Sequence, residues 1–166
     1  AHGVRRFTED IDVLVEAEAV DRLLAAARTA FREIAREPAT GAPGQIRLRA
    51  RKPLPREDVY IDILVPVDAA EAWALAGSVR AKALGRKVDV VSPEALVALK
   101  LRAHMSDPES ADGLKHRSAA ITLHRRGRVD VAALRRFVVS DAALARALDR
   151  ALAAPRPKGR ISLGRR

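Results

Sequence analysis

From Ile11 to Val15 the chain is apolar and β-branched except at Asp12, the pattern of a buried strand. Side chains alternate across a strand, so Arg6, Thr8, Asp10 and Asp12 belong to one face and Phe7, Ile11, Val13 and Val15 to the other. A second such run, Val59 to Val65, again carries a single acid within strand-forming residues, with Asp58, Tyr60, Asp62 and Leu64 sharing a face. Between the two runs, Val20, Leu23, Leu24, Ala27, Phe31 and Ile34 recur at helical spacing and predict an amphipathic helix over Ala19–Arg36, its outer face bearing Arg22, Arg28 and Arg32. Pro38 to Gly44 reads as a loop. Gln45 to Arg49 alternates polar and apolar residues, as a half-buried strand does. The connection from Arg51 to Arg56 is short, so this strand and the Asp62 strand are most simply antiparallel neighbours.

Past Pro66, Asp68 caps a short helix through Leu75 that presents Trp73 as a core anchor. Val79–Leu84 and Lys87–Val91 are strands around a Gly85-Arg86 turn. Ser92-Pro93-Glu94 is a helix start with all three signals in place: an N-cap, a proline in the first turn and an acid beside it. In that helix Leu96, Leu99 and Ala103 are expected inward. Ser106 to Asp112 is polar and acidic, the expected linker or flexible loop. Leu114–Arg126, Val131–Val138 and Asp141–Leu152 predict three further helices, with Gly127 ending the first and Ser140 or Asp141 capping the last. Ala154 to Arg166 has five basic residues and no acids and reads as a disordered basic tail. The expected organisation is a core over 1–105, a C-terminal helical region over 106–153 and a tail over 154–166. The expected fold class is α+β, a small mixed and mostly antiparallel sheet with flanking helices.

The 166 residues suffice for one domain with its own core. No apolar run approaches the ~20 residues that span a bilayer, and the N-terminus lacks a secretory pattern. Cysteine is absent, which excludes disulfides and thiolate chemistry and makes a cytoplasmic protein the default. The net charge of +10 is uneven: residues 1–100 hold 16 Lys+Arg against 15 Asp+Glu, residues 101–166 hold 15 against 6. That asymmetry suits a polyanionic partner such as RNA, and equally an Arg-rich solvated surface, since no aromatic platform accompanies it. The four histidines share no metal-ligand spacing. Neither a P-loop nor a Gly-rich dinucleotide fingerprint occurs.

Asp10 and Asp12, two apart on a strand, are the candidate chemistry. Two adjacent ionised carboxylates repel, and a hard divalent cation removes the repulsion while leaving coordination sites for water and phosphate oxygens. Asp-x-Asp alone is also compatible with a turn followed by a half-exposed strand. Asp62 changes the picture: beside the first strand it supplies a third carboxylate, enough to hold two metal ions across an in-line phosphoryl displacement.

Arg6-x-Thr8-x-Asp10-Ile11-Asp12, the lone strand acid Asp62, and Val91-Ser92-Pro93-Glu94 leading to Lys100 together resemble the small nucleotidyltransferases of the DNA polymerase β superfamily, in the AbiEii-like, toxin–antitoxin-associated branch. The resemblance implies transfer of a nucleoside monophosphate from an NTP to an acceptor hydroxyl of RNA, tRNA or protein, with Mg²⁺ or Mn²⁺ held by Asp10, Asp12 and Asp62. Arg6, Thr8 and Lys100 are then nucleotide-binding candidates, and a cognate toxin or antitoxin a partner. By itself the spacing leaves Lys100 equally able to reach solvent or to pair with Glu94 or Glu71. Two elements of the family pattern are absent. A Gly-Gly or Gly-Ser pair ahead of the Asp-x-Asp strand is not in this stretch, whose Ala1-His2-Gly3 resembles the end of the helix that follows such a pair; either the start lies upstream or the chain is truncated or degenerate. Lys115-His116-Arg117-Ser118 keeps the basic residues of a Lys/Arg-x-x-Asp element without its acid. A degenerate module that binds a protein or RNA without chemistry is therefore the alternative, and a metal-dependent nuclease a third reading.

Overall fold

A computed structural model describes residues 10–31, 33–37, 45–51, 58–83 and 85–154. Arg6, Thr8 and the tail beyond Ala154 lie outside the described residues. The first sheet contains β1 (Asp10–Leu14), β2 (Glu33–Glu37), β3 (Gln45–Arg51) and β4 (Asp58–Leu64), in the order β1-β4-β3-β2. β1 runs parallel to β4, and the other two pairings are antiparallel. The fold is α+β with a mixed, mainly antiparallel sheet, and the short β3–β4 connection does join antiparallel neighbours.

One face of this sheet is apolar. Leu48, Ile61 and Ile63 are buried there, with Ile46, Val13 and Val15 beside them and Val20, Leu23 and Leu24 of α1 (Val20–Ala30) laid across them. The predicted helix over Ala19–Arg36 is therefore too long: it stops at Ala30, and residues 33–37 form β2. Phe31 leaves the helix in an extended conformation, its N–H still donating to the Ala27 carbonyl, and packs into the sheet cluster. Continuing the helix would leave the outer row of β3 backbone groups without a strand partner, whereas β2 pairs with β3 from Glu33–Arg51 to Glu37–Arg47. Helical spacing of Phe31 and Ile34 carries no information about that distant partner.

The second half follows its local signals more closely. Asp68 caps α2 (Ala69–Ala76), its Oδ1 accepting from the Ala70 and Glu71 N–H groups at 2.8 and 3.0 Å, while Glu71 accepts in return from the Val67 N–H at 2.8 Å. β5 (Val79–Ala83) and β6 (Arg86–Val90) form a separate two-stranded ribbon turning at Gly85, whose φ of 79° favours glycine. Ser92 caps α3 (Pro93–Ser106) through the Ala95 N–H at 3.2 Å. A turn then leads to Ser110, which caps α4 (Ala111–Arg125) through the Gly113 N–H at 2.9 Å. Gly127, at φ 68°, ends that helix; α5 (Val131–Val138) and α6 (Ala142–Leu152) begin at the caps Asp130 and Asp141.

α3 is the axis of the helical core, in contact with α2, α4, α5 and α6. Its fully buried residues are Ala95, Val97, Ala98 and Leu101, whereas Leu96, Leu99 and Ala103, the expected inward stripe, are only half-buried. A helix gripped on several sides has no single inward stripe, so a one-faced pattern selects the wrong residues. Leu123, Leu134, Val138, Leu144 and Leu148 close around it. Trp73 of α2 stacks on Phe137 of α5, centroids 3.9 Å apart and planes 10° from parallel, which makes it the expected core anchor. Two polar ties fix the ends of α3: Glu94 accepts from the Asp130 N–H at 2.7 Å, and Arg102 meets Asp68 at 3.0 Å.

Candidate functional site

The candidate site lies on the face of the four-stranded sheet opposite α1. Alternation sends Val13, Ile61, Ile63 and Leu48 toward α1, and so sends Asp12 and Asp62 to the other side. Parallel pairing aligns Asp10 with Tyr60, and Asp12 with Asp62. Two acids are thus direct register neighbours, their backbones about 4.8 Å apart across the ladder, with position 10 roughly 7 Å along β1 from position 12. The pairing is extended at its end by the Val15 N–H, which donates to the Leu64 carbonyl at 3.0 Å.

Burial separates the two. Asp62, on an inner strand paired on both sides, is 6% exposed, whereas Asp12, on β1 at the sheet edge, is open to solvent. A carboxylate held that deeply beside a second one is costly by itself, and is the donor chemistry that suits a hard divalent cation: oxygen ligands, negative charge and an open flank for water and phosphate oxygens. Asp12 and Asp62 fit such an ion. Among the described residues no three His, Cys, Asp or Glu side chains form a ready metal cage, and the side chain of Asp10 is not among those described.

Lys100 stands at the middle of α3, half-buried beside the fully buried Leu101. Of the two acids considered for it from sequence, Glu71 accepts from the Val67 N–H and Glu94 from the Asp130 N–H. Lys115 lies 3.6 Å from Asp112 one turn earlier on α4, an exposed pair. No described helix is long and apolar enough to cross a membrane.

Sequence reasoning missed the contribution of β3. Its antiparallel register sets Arg47 opposite Asp62, Arg49 opposite Tyr60 and Arg51 opposite Asp58, so three arginine positions share the carboxylate face. The signal was present, since Arg47, Arg49 and Arg51 recur at every second residue of the strand. Only the register connects them to Asp62.

A family model described as "Nucleotidyl transferase AbiEii toxin, Type IV TA system" matches residues 1–165. Among solved structures, an antigenic nucleotidyltransferase-like protein from Paracoccidioides brasiliensis is similar at a TM-score of 0.47 and 18% sequence identity, over 86% of this chain and 75% of that one. No curated protein matches the chain.

Proposed function

We propose, for a chain that belongs to the AbiEii nucleotidyltransferase toxin family, that it moves a nucleoside monophosphate from an NTP to an acceptor hydroxyl on RNA, tRNA or protein, working from the Asp10, Asp12 and Asp62 face of its sheet. Membership makes it a nucleotidyltransferase of the type IV toxin–antitoxin class, with an NTP as donor and a cognate antitoxin as counterpart. The observation that supports the assignment of residues is the register of Asp12 against Asp62 on adjacent parallel strands, with Asp62 buried.

In this reading the three carboxylates hold one or two Mg²⁺ or Mn²⁺ ions, which when bound neutralise phosphate charge and lower the pKa of the attacking hydroxyl. Asp62 is the best placed of the three to accept the proton of that hydroxyl, directly or through water, because its strand is paired on both sides and cannot drift. Asp10 and Asp12, on the open edge strand, orient the triphosphate for in-line attack. The acceptor oxygen bonds to the α-phosphorus as the bond to pyrophosphate breaks. Arg6, Thr8 and Lys100 bind the nucleotide's phosphates by charge and hydrogen bonding. The α+β core over 1–105 carries this chemistry, the helical region over 106–153 braces α3 from behind, and the tail over 154–166 adds positive charge. Its setting is cytoplasmic.

The test is label transfer from each of the four α-³²P NTPs, with Mg²⁺, into purified tRNA and into a protein lysate. Labelling that disappears in Asp12→Ala and Asp62→Ala supports the assignment and names the acceptor class. Labelling indifferent to both substitutions refutes it, and a biological effect that survives them without any labelling would favour a binding module.

A further inference from the structure

The helices that follow α3 carry their charge unevenly. Between residues 113 and 154 there are nine Lys+Arg and three acids, and each of the three acids has a task in the fold. Asp130 caps α5 through the Ala133 N–H, Asp141 caps α6 through the Leu144 N–H, and Asp149 meets Arg135 at 2.8 Å. Glu94, which the first turn of α3 brings to the start of α5, accepts from the Asp130 N–H.

Five other arginines gather where α4 and α6 end. Arg125, in the last turn of α4, donates to the Ala154 carbonyl just past α6 at 3.0 Å, which sets the two helix C-termini side by side. Arg126 and Arg128 follow around the Gly127 turn. Arg146 and Arg150 stand one turn apart on the solvent face of α6, away from the buried Leu144, Ala147, Leu148 and Ala151. All five are exposed. Arg125 and Arg150 also complement the negative ends of their helices, a duty that Arg128 and Arg146 do not have. Among the described residues Arg128, Arg146 and Arg150 belong to no ion pair.

Cations of one sign on two packed helix ends make a field that attracts a polyanion. Aromatic residues are few, and the one tryptophan is stacked on Phe137, so this surface offers charge and hydrogen bonds without a platform for bases. Guanidinium groups grip phosphate in a bidentate manner. What fits such a surface is a phosphate backbone, held by charge without its sequence being read.

We propose that the surface formed by Arg125, Arg126, Arg128, Arg146 and Arg150 binds RNA through its phosphates. It lies on α4 and α6, not on the strands that carry Asp12 and Asp62. The choice of RNA rests on the nucleotidyl-transfer reading, in which RNA and tRNA are the polyanionic acceptors; the charge itself requires only a phosphate backbone.

Fluorescence anisotropy of labelled bulk tRNA measures binding by the full chain across about 50–300 mM salt. The variants are Arg146→Gln/Arg150→Gln, Arg128→Gln, and Lys82→Gln/Lys87→Gln, which removes the same charge from the exposed β5–β6 ribbon. Each arginine lost should lower the slope of log affinity against log salt by about 1. The double arginine variant then binds roughly 10- to 30-fold more weakly near physiological salt, and the lysine variant binds as wild type does. Equal losses in the arginine and lysine variants, or arginine variants that bind as wild type does, overturn the proposal. So does a wild-type chain that does not bind tRNA. Duplex DNA bound more tightly than tRNA, or polyglutamate or vesicles of anionic phospholipid bound as tightly, overturns RNA as the partner. If circular dichroism shows that the double arginine variant does not fold, Arg128→Gln is compared with Lys82→Gln under the same outcomes. Arginine-dependent RNA binding without any label transfer would sink the nucleotidyl-transfer reading and leave this surface standing. Aspartate-dependent transfer beside RNA binding indifferent to the arginines would sink this inference alone.

Discussion

Gly113→Ala should reverse the usual sign of a glycine replacement within a helix. Gly113 is the third residue of α4, and in an unconstrained helix alanine there would gain up to about 1 kcal/mol over glycine. Here a Cβ would stand 1.8 Å from the Asp107 carbonyl oxygen and 2.9 Å from its carbon, so backbone on the other side of the α3–α4 turn must retreat by more than an ångström. The same Cβ would lie 3.2 Å from the Ser110 Oγ, the group that accepts from the Gly113 N–H and caps the helix. Overpacking against fixed backbone costs about 1–3 kcal/mol, and disturbing the cap adds about 1 kcal/mol. The net expectation is a loss of about 1–3 kcal/mol once the propensity gain is subtracted. For a chain of this length that lowers the melting temperature by roughly 2–12 °C. Thermal unfolding followed by circular dichroism measures it, with Ser110→Ala as the comparison, which removes the cap without adding an atom. A melting temperature for Gly113→Ala equal to or above wild type would refute the reasoning, and a loss no greater than that of Ser110→Ala would show that the turn yields freely.

Leu101→Ala empties a fully buried position at the centre of the helical cluster and should cost about 2–5 kcal/mol in urea unfolding, more than any truncation on α1. Asp12→Ala removes an exposed side chain and should leave the unfolding midpoint close to wild type while abolishing label transfer; joint loss of transfer and stability would assign Asp12 to the fold instead. The Arg135–Asp149 bridge, 2.8 Å long but more than half exposed on both sides, should show a coupling of no more than about 1 kcal/mol in a double-mutant cycle, shrinking further in high salt. Ser92→Ala should destabilise by about 1 kcal/mol, read from the same unfolding curves, because the Ala95 N–H loses its acceptor in a buried place.

The sequence determined by itself what depends on residues a few positions apart. Ser92 and Asp68 cap the helices their positions predict, Asp141 rather than Ser140 caps α6, and Gly127 ends α4, because a cap needs only its own side chain and N–H groups two or three residues on. The Gly85 turn and the antiparallel β3–β4 pairing were legible for the same reason: short connections leave little choice of partner. The resemblance carried by Asp10, Asp12 and Asp62 pointed to the family to which the chain belongs, and of the described pair Asp12 and Asp62 it is Asp62 that lies buried within an apolar strand run.

The tertiary structure alone decided what depends on distant chain. Residues 33–37 became a strand because β3 offered them an open edge, against their helical spacing. The inward face of α3 was set by the helices around it, which bury Val97 and Leu101 in place of Leu96 and Leu99. Most consequential is the parallel register that sets Asp12 beside Asp62 across some fifty residues of chain and draws the β3 arginines into the same rows. A one-residue slip of either strand would carry its acids to the other face. Local sequence supplies the alternation of faces; which face meets which is fixed only when the strands pair and the apolar sides close on α1.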